Sequence, residues 1–311
     1  MKFLHLGDSL PVRCSVSGAS VLLSQIGLAA VPRLIHARSL IEHAVVSGCV
    51  LAGVFVLGRL CKRLLGVKAS APAVVILHAV FLWGVYLAVI RRAPAISLVM
   101  DVVLNLELGL IMFGMWRIMH SDPGWVEHDS IPVTDMESAP DAPTITLQGE
   151  SEDRHLSRRV RHCRICKAHV KGYDHHCPAF GNCIGQHNHV LFLVLLVGFI
   201  ITEVSYAACC YQYIIVNQVE EKFGTEMGLS GRLAISTMTF CLFQVTWQVF
   251  FLAWHVYCVC NNIKTDEWVN WAKYPEFHHN AQPHRDRLGI RFHNPYNKGV
   301  FRNLKGLCNQ R

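Results

Sequence analysis

Four long apolar stretches constrain the fold of this chain more than any other feature of its sequence. They run over 71–90, 95–116, 190–216 and 233–259. A transmembrane helix needs about 20 apolar residues to cross the hydrocarbon core of a bilayer, and each stretch meets that length. The sequence therefore predicts an α-helical integral membrane protein with four transmembrane helices, two within 71–116 and two within 190–259.

A fifth apolar stretch, 44–58, lies in the N-terminal region 1–70. It is only about 15 residues long, shorter than a comfortable span. Glu42 and His43 precede it and Arg59 follows it. It fits a fifth transmembrane helix, a re-entrant segment or an interfacial helix, and the sequence leaves these alternatives open. The first residues of the chain do not predict a signal peptide, because charges and a proline interrupt their apolar run.

The composition favours a membrane protein and argues against a nucleic-acid-binding one. Of the 311 residues, 52% are hydrophobic and only 16% are charged, whereas a soluble domain carries about 25% charged residues. The formal net charge is +7, but the basic residues flank apolar stretches and form no continuous patch with interleaved aromatic residues. Anionic lipid headgroups explain this charge better than nucleic acid does.

The distribution of Lys and Arg predicts which side of the membrane each loop occupies. These residues are concentrated in 59–68, in the loop between the second and third stretches, and in the C-terminal tail 260–311. The loops 91–94 and 217–232 hold few of them. Because cytosolic loops carry an excess of Lys and Arg, the central loop and the tail are predicted to face the cytosol.

The central loop has two parts. Residues 117–153 are acidic and rich in Pro, Ser and Thr, which predicts a solvated linker. Residues 154–189 are basic and rich in Cys and His. A Cys-x-x-Cys pair followed by His and another Cys supplies the ligands that tetrahedral zinc prefers, and a module with few large apolar residues needs such a metal to fold. Cys177, with His175 two residues away and Asp174 beside it, has the composition of an activated thiol.

The run from Asp174 to Cys177, with its spacing to the neighbouring cysteines, resembles the signature of the DHHC-type protein S-acyltransferases, the integral-membrane palmitoyltransferases. The resemblance implies transfer of a long-chain acyl group, such as palmitoyl, from acyl-CoA to cysteine thiols of proteins. It implies a zinc-stabilised cytosolic Cys-rich module between membrane helices. It also implies an acyl-enzyme intermediate on Cys177.

Three further stretches resemble motifs of this family. The Asp-Pro-Gly that begins at Asp122 follows the second apolar stretch, as the family's motif does. Thr265 and Glu267 match a Thr-Thr-x-Glu motif, whose first Thr is replaced here by Lys264. Residues 294–303 resemble the family's C-terminal packing motif with an aromatic residue and an Asn.

The resemblance assigns the metal ligands. One Cys₃His zinc site is implied at Cys163, Cys166, His176 and Cys183. Family members have a second site, for which this chain offers His162 and His169, the latter in place of a Cys. The upstream Cys pair of that site falls at Gly149 and Glu152. His162 and His169 therefore either build a substitute site with His155 and nearby carboxylates, since zinc accepts both, or are ordinary polar residues.

The resemblance also assigns the catalytic roles. A free cysteine with a pKa of about 8.5 is mostly protonated at neutral pH, so its thiol needs a base. His175 would accept the proton, Asp174 would fix the imidazole tautomer, and Cys177 would attack the thioester. Because the four implied zinc ligands already complete a tetrahedral set, Cys177 is surplus to the metal.

Other positions are expected to bind acyl-CoA. Arg158, Arg159 and Arg161 are predicted to meet the CoA phosphates. After the Cys-Pro dipeptide the family has a large aromatic residue, whereas this chain has Ala179 and then Phe180. Either the acyl-chain preference changes or Phe180 supplies the ring. The expected partners are acyl-CoA, the lipid bilayer and membrane-associated proteins with cytosolic cysteines, at the endoplasmic reticulum, the Golgi or the plasma membrane.

Two functions other than acyl transfer also account for some features of the sequence. The lost zinc ligands and Ala179 also fit a catalytically weak family member that acts as a zinc-stabilised binding platform. A transporter is disfavoured because no inverted repeat is visible. Polar residues within the stretches are expected to form structural hydrogen bonds in the interior of the helix bundle: Asp101, Asn105, Glu107 and Glu203.

Overall fold

The computed structural model describes residues 9–34, 40–126, 159–217, 227–279 and 291–308. Its α-helices are α1 (Leu10–Leu34), α2 (Leu40–Leu65), α3 (Ala71–Ala88), α4 (Leu98–Met119), α5 (His189–Val216), α6 (Leu229–Cys260), α7 (Thr265–Asn270) and α8 (Val300–Cys308). Its strands are β1 (Trp125–Val126), β2 (Val160–Cys163), β3 (Ala168–Lys171), β4 (His175–Cys177), β5 (Asn182–Ile184), β6 (His278–His279) and β7 (Arg291–Phe292).

The protein is a helical integral membrane protein, as predicted from the four apolar stretches and the open fifth one. Six helices in the described part of the chain, α1 to α6, are long and apolar enough to cross a membrane. The four predicted stretches correspond to α3, α4, α5 and α6, with ends that shift by a few residues. The fifth stretch, 44–58, is the middle of α2. Glu42 lies in the first turn of that helix and Lys62 and Arg63 lie in its last turn, whereas Arg59 lies inside the helix just after the apolar stretch.

Helix α1 was missed because it is rich in serine and contains two arginines and two prolines. The structure shows how these polar groups are accommodated. The hydroxyls of Ser17, Ser20 and Ser24 donate hydrogen bonds to main-chain carbonyls three or four residues earlier, at 2.7–2.8 Å. A hydroxyl satisfied within its own helix costs less to bury. Sequence polarity alone therefore underestimated the capacity of this segment to form an apolar helix.

The chain divides into two compact units, and the division falls within α4, α5 and α6. The helical unit comprises Met1–Met115, Pro178–Phe180 and Leu195–Phe250, and the second unit comprises Trp116–Cys177, Gly181–Val194 and Phe251–Arg311. In the helical unit a buried cluster joins residues of α1, α3, α4, α5 and α6. Helices α4 and α5 approach closely at glycines, since a Cβ on Gly198 would lie 2.8 Å from Ile111 and one on Gly114 would lie 2.3 Å from Leu195. Small residues permit such close packing in membranes.

The polar residues of the membrane helices form the structural hydrogen bonds that the sequence predicted. Asp101 accepts a hydrogen bond from the Tyr86 hydroxyl at 3.0 Å. Glu107 accepts one from Ser205 at 3.2 Å, and Glu203 accepts one from Gln248 at 3.1 Å. Asn105, the fourth of these residues, donates to the carboxylate of Asp101 at 3.0 Å.

The strands of the second unit form short antiparallel pairs. One sheet has the order β1-β3-β2, and two hairpins pair β4 with β5 and β6 with β7. The Asp-Pro-Gly turn leads into β1, because the Asp122 carboxylate accepts hydrogen bonds from the main-chain N–H groups of Gly124 and Trp125 at 2.7 and 2.8 Å. Asn182 in β5 donates to the carbonyls of Ile118 and Ser121 at the end of α4, where main-chain carbonyls lack partners within the helix.

The C-terminal segment packs back on the end of α6. Asn303 in α8 donates to the carbonyl of Cys260 at 2.7 Å. Asn262 donates to the carbonyl of Tyr296 at 2.9 Å, and the ring of Tyr296 is buried in a small cluster with Phe277. These contacts place the turn after α6, with its Thr-Asp-Glu sequence, against the Cys/His module of the same unit.

Candidate active site and metal site

Strand β4 carries residues for two kinds of chemistry on its two faces. Successive side chains of a strand point to opposite sides. His176 pairs with Cys183 across the β4–β5 hairpin, so these two share one face. His175 and Cys177 flank His176 and therefore share the other face. This alternation separates a metal ligand from a base and a thiol that are its immediate neighbours in the chain.

On the first face the four predicted metal ligands come together. The three cysteine sulfurs and Nδ1 of His176 all lie within 4.8 Å of one another. The sulfurs of Cys183 and Cys166 are 3.5 Å apart, and His176 Nδ1 lies 3.4–3.8 Å from the three sulfurs. A tetrahedral zinc ion with ordinary bond lengths separates its ligand atoms by about 3.5–3.8 Å. The residues of this cluster therefore fit a bound zinc ion.

The surroundings of the cluster also favour a cation. Burial and the neighbouring sulfurs raise the pKa of Cys183 well above its ordinary value. Cys163 is buried as well, and it packs with Val170 and Cys183 in a core too small to support a domain alone. Several buried sulfurs in contact are stable as thiolates only beside a positive ion, which would also supply folding free energy.

On the second face Asp174, His175 and Cys177 are assembled as the sequence suggested. Nδ1 of His175 lies 2.7 Å from the Asp174 carboxylate, so the other ring nitrogen is left for Cys177. Burial of the ring opposes its protonation, but hydrogen bonds with Asp174 and Cys177 outweigh burial and raise the pKa of His175 to about 9. Burial alone would raise the pKa of Asp174, yet the His175 hydrogen bond and nearby cations hold it far below its ordinary range. The thiol of Cys177 is buried.

Asp174 is also held by the turn after α6. Its other carboxylate oxygen accepts a hydrogen bond from the main-chain N–H of Thr265 at 3.0 Å. Its main-chain carbonyl accepts one from Asp266 at 2.9 Å. The matched Thr265 position of the sequence motif thus supports the carboxylate through its backbone. Asp174 is fully buried, and such a charge is tolerated only where hydrogen bonds and opposite charges surround it.

Three residues that the sequence analysis did not assign complete this surrounding. Nε2 of His189 and Nδ1 of His255 each lie 4.0 Å from Asp174. The ring of His255 packs edge-on against Phe192 and Phe251, with centroids 4.9 and 4.5 Å apart. The third residue, Lys264, places its amine 3.0 Å from His189. A signal for the two histidines existed in the sequence, because both interrupt predicted membrane stretches or their edges, where ionisable residues are commonly functional.

Comparison with known proteins agrees with this geometry. A family model described as DHHC palmitoyltransferase matches residues 151–272. That segment contains both faces of β4, the predicted ligands and the turn after α6. Residues 151–272, called the DHHC domain below, are therefore similar to the domain of this family.

Curated relatives carry names from the same family. Palmitoyltransferase AKR1 of Mortierella alpina is 27% identical over 182 residues, which is 52% of this chain and 32% of that protein. Human palmitoyltransferase ZDHHC18 is 26% identical over 110 residues, 35% of this chain and 28% of the relative. Probable protein S-acyltransferase 1 of Arabidopsis thaliana is 29% identical over 152 residues, 48% of this chain and 38% of the relative. The matched segments span about a third of each relative's length.

The structure gives two of the predicted CoA-binding arginines, Arg159 and Arg161, partners within the second unit. Arg159 is buried, and its guanidinium bonds both carboxylate oxygens of Glu267, at 2.7 and 2.6 Å, and two oxygens of Asn262. Arg161 pairs with Glu276 at 2.5 Å and lies over the ring of Tyr274. Arg158 lies outside the described residues. Their role at the CoA phosphates stays a prediction, and these internal contacts were not anticipated.

The three remaining predicted positions, His162, His169 and Phe180, lie within the described residues. His162 and His169 face each other across β2 and β3, with ring centroids 5.0 Å apart. Within the described residues they do not join a third ligand, and His155 and the carboxylates named with it lie outside those residues. The second zinc site therefore stays a prediction. Phe180 is buried, consistent with an inward-facing ring, while its part in acyl-CoA binding also stays a prediction.

Proposed function

We propose that this chain is a protein-cysteine S-acyltransferase that moves a long-chain acyl group, such as palmitoyl, from acyl-CoA to protein thiols through an acyl-enzyme on Cys177. One observation carries the proposal. The strand β4 directs Cys177 and His175 away from the metal ligand His176, and Nδ1 of His175 is bonded to the buried carboxylate of Asp174. A thiol, a base and an orienting carboxylate are the set that covalent catalysis on sulfur requires.

The first half of the reaction forms the acyl-enzyme. His175 takes the proton of Cys177 on the ring nitrogen that does not face Asp174. The thiolate attacks the carbonyl carbon of the acyl-CoA thioester, a new carbon–sulfur bond forms, and the bond to the CoA sulfur breaks. The CoA thiolate leaves and receives the proton held by His175. Asp174 stabilises the imidazolium between these two events.

The second half transfers the acyl group to the substrate. His175 accepts the proton of the incoming substrate thiol, whose sulfur attacks the carbonyl of the acyl-enzyme. The bond to Cys177 breaks, and His175 returns the proton to that sulfur. Each half exchanges one thioester for another of similar energy, so both directions are accessible and acyl-CoA supply drives the cycle.

A zinc ion on the other face would hold the hairpin in place. The ligands would be Cys163, Cys166, His176 and Cys183, whose distances suit it. Zinc would supply folding free energy to the module and fix the backbone from which the two catalytic side chains project. His162 and His169 are proposed as ligands of a second metal ion only if a third ligand joins them from outside the described residues.

Adjacent residues on β4 allow a sharp test. Purified full-length protein is incubated with an alkyne-tagged C16 acyl-CoA, and both the hydroxylamine-sensitive label and bound zinc are measured. Cys177→Ser should lose the label and keep zinc, while His175→Ala should slow labelling and keep zinc. His176→Ala should lose zinc. Cys260→Ser, outside both faces, serves as the control and should change neither.

Two results would contradict the proposal. An unchanged label in Cys177→Ser would show that a residue other than Cys177 carries the acyl group. Bound zinc without any label in the unmodified protein would favour the alternative of a zinc-stabilised binding platform. If transfer occurs, the substrates are expected to be membrane-associated proteins with cytosolic cysteines.

We also propose that the DHHC domain faces the cytosol, at the endoplasmic reticulum, the Golgi or the plasma membrane. The excess of Lys and Arg in 59–68, in the central loop and in the tail supports this orientation. An N-glycosylation acceptor placed in loop 217–232 should be modified, and one placed in 117–153 should not. Glycosylation of the acceptor in 117–153 alone would show that the topology is the reverse of the proposed one.

A further inference from the structure

Lys264 is an unusual residue for its position. It replaces the first Thr of the motif after α6, and its side chain is almost fully buried, with 5% of the residue exposed. Lysine is rarely buried without a partner. Here Nζ lies 3.0 Å from Nδ1 of His189. A buried hydrogen bond at this distance fixes both side chains.

The pKa of Lys264 lies below its ordinary value because burial is the largest effect on it, although two nearby carboxylates favour the ammonium form. These carboxylates belong to Asp174 and Glu267, and Arg159 repels the ammonium form. Arg159 is itself paired with Glu267 through two hydrogen bonds. Asp174 therefore remains as the carboxylate whose charge an ammonium at Lys264 balances. His255 and Cys258 of α6 are the other titratable groups near these residues.

An ammonium group at this place determines the tautomer of His189. The lysine ammonium can only donate hydrogen bonds, so Nδ1 of His189 must accept one. A neutral imidazole then carries its proton on Nε2. That nitrogen lies 4.0 Å from the carboxylate of Asp174, is fully buried, and has no hydrogen-bond partner among the described residues. The N–H is thus directed at the oxygen of Asp174 that does not bond His175.

We propose that Lys264 is a positioning residue: its side chain orients His189, and His189 in turn holds Asp174 in place for His175. The inference rests on the proposed acyl transfer. The two oxygens of Asp174 accept hydrogen bonds from His175 and from the main-chain N–H of Thr265, one each, and Nε2 of His189 faces the second oxygen at 4.0 Å. A carboxylate fixed in this way keeps the imidazole aligned with Cys177 while the ring gains and loses its proton.

The test compares rate constants for acyl-enzyme formation at saturating alkyne-tagged C16 acyl-CoA. Lys264→Met keeps the length of the side chain and removes its donor. It should slow loading of Cys177 by about tenfold, the usual cost of one lost hydrogen bond to a charged group. Half-saturating acyl-CoA and bound zinc should stay unchanged. Lys273→Met, an exposed lysine of the same unit, is the matched control and should load normally.

Two substitutions of His189 test the path itself. The amide of His189→Asn lies where Nδ1 was, so it can still meet Lys264 but cannot reach Asp174. The amide of His189→Gln lies where Nε2 was, so it can meet Asp174 but cannot reach Lys264. Both should load slowly with zinc retained. Because the contribution of Lys264 passes through His189, Lys264→Met added to His189→Gln should change the rate by less than about twofold.

The outcomes separate this inference from the proposed function. If the unmodified protein never loads Cys177, the acyl-transfer proposal fails and this inference falls with it. If it loads and Lys264→Met loads equally fast, or if the two substitutions multiply their effects, the positioning role is refuted alone. If Lys264→Met loses zinc, the two His189 variants provide the test instead. A normal rate of Cys177 loading in either variant would refute the positioning of Asp174 by Lys264 through His189.

Discussion

Loss of one partner from the buried ion pair of Arg159 and Glu267 should destabilise the DHHC domain far more than loss of one partner from a surface pair does. Both side chains are buried, with 9% and 2% of their areas exposed. Arg159 also bonds Asn262 and lies over the ring of Tyr296, 3.9 Å from its centroid. Glu267 additionally accepts a hydrogen bond from the main-chain N–H of Lys264 at 2.8 Å. Removal of one partner leaves an uncompensated buried charge, which costs about 3–5 kcal/mol.

The perturbation is Glu267→Gln, which keeps the shape and removes the charge. The assay follows zinc release from purified protein during urea titration with a chromogenic chelator. With a urea dependence of about 1–3 kcal/mol per M, the midpoint should fall by at least about 1 M. Glu276→Gln is the matched control, because the Arg161–Glu276 pair is partly exposed, at 18% and 19%, and such pairs contribute about 1 kcal/mol or less.

A double replacement refines the test. Arg159→Met combined with Glu267→Leu removes both charges and leaves no unpaired ion, so it should be less destabilising than Glu267→Gln alone. Equal midpoints for Glu267→Gln and Glu276→Gln would refute the reasoning. They would mean that water reaches the Arg159 pair in spite of its burial.

Three further predictions follow from the site and its scaffold. Cys163→Ser should lose one equivalent of zinc by metal analysis, whereas Cys260→Ser should retain it. Gly185→Ala should lower the free energy of unfolding, measured from the zinc-release titration, by about 1–3 kcal/mol. The reason is that the added Cβ would lie 2.3 Å from a carbonyl of the Asp-Pro-Gly turn. Gly109→Ala is the control and should be neutral, because its added Cβ meets nothing within 4 Å. The pKa of His175 is raised from 6.5 to about 9 on folding. Protonation of His175 therefore stabilises the fold fully below pH 6.5, and this stabilisation is lost as the pH rises through 9. The difference in thermal midpoint between the unmodified protein and His175→Ala should shrink between these two pH values.

The parts of the fold that could be predicted are those set by local pattern. The helices α3 to α6 followed from long apolar stretches, and the Cys/His cluster followed from its Cys-x-x-Cys spacing together with the family resemblance. Helix α1 could not be recognised in the same way. Its serines are polar in the sequence and become satisfied only when helical carbonyls are present to accept their hydrogen bonds.

The parts of the site that could not be predicted depend on contacts between distant segments. His189, His255 and Lys264 meet around Asp174 only because the ends of α5 and α6 and the following turn converge on β4. Arg159 looked like a free cation for phosphate because its partner Glu267 is 108 residues away. Charge in a sequence shows which groups are available, and only the fold shows which of them are already paired.

Because side chains alternate along β4, a metal ion held by His176 would lie close to Cys177 and would report optically on its acylation. Cobalt(II) in place of zinc would absorb visible light through its cysteine and histidine ligands, and His176 would be one of them. That ligand is one peptide unit away from both His175 and Cys177. Loading an acyl chain on Cys177 would shift the strand under His176 and so change the colour of the metal, which would let each turnover be followed without a label on the fatty acid.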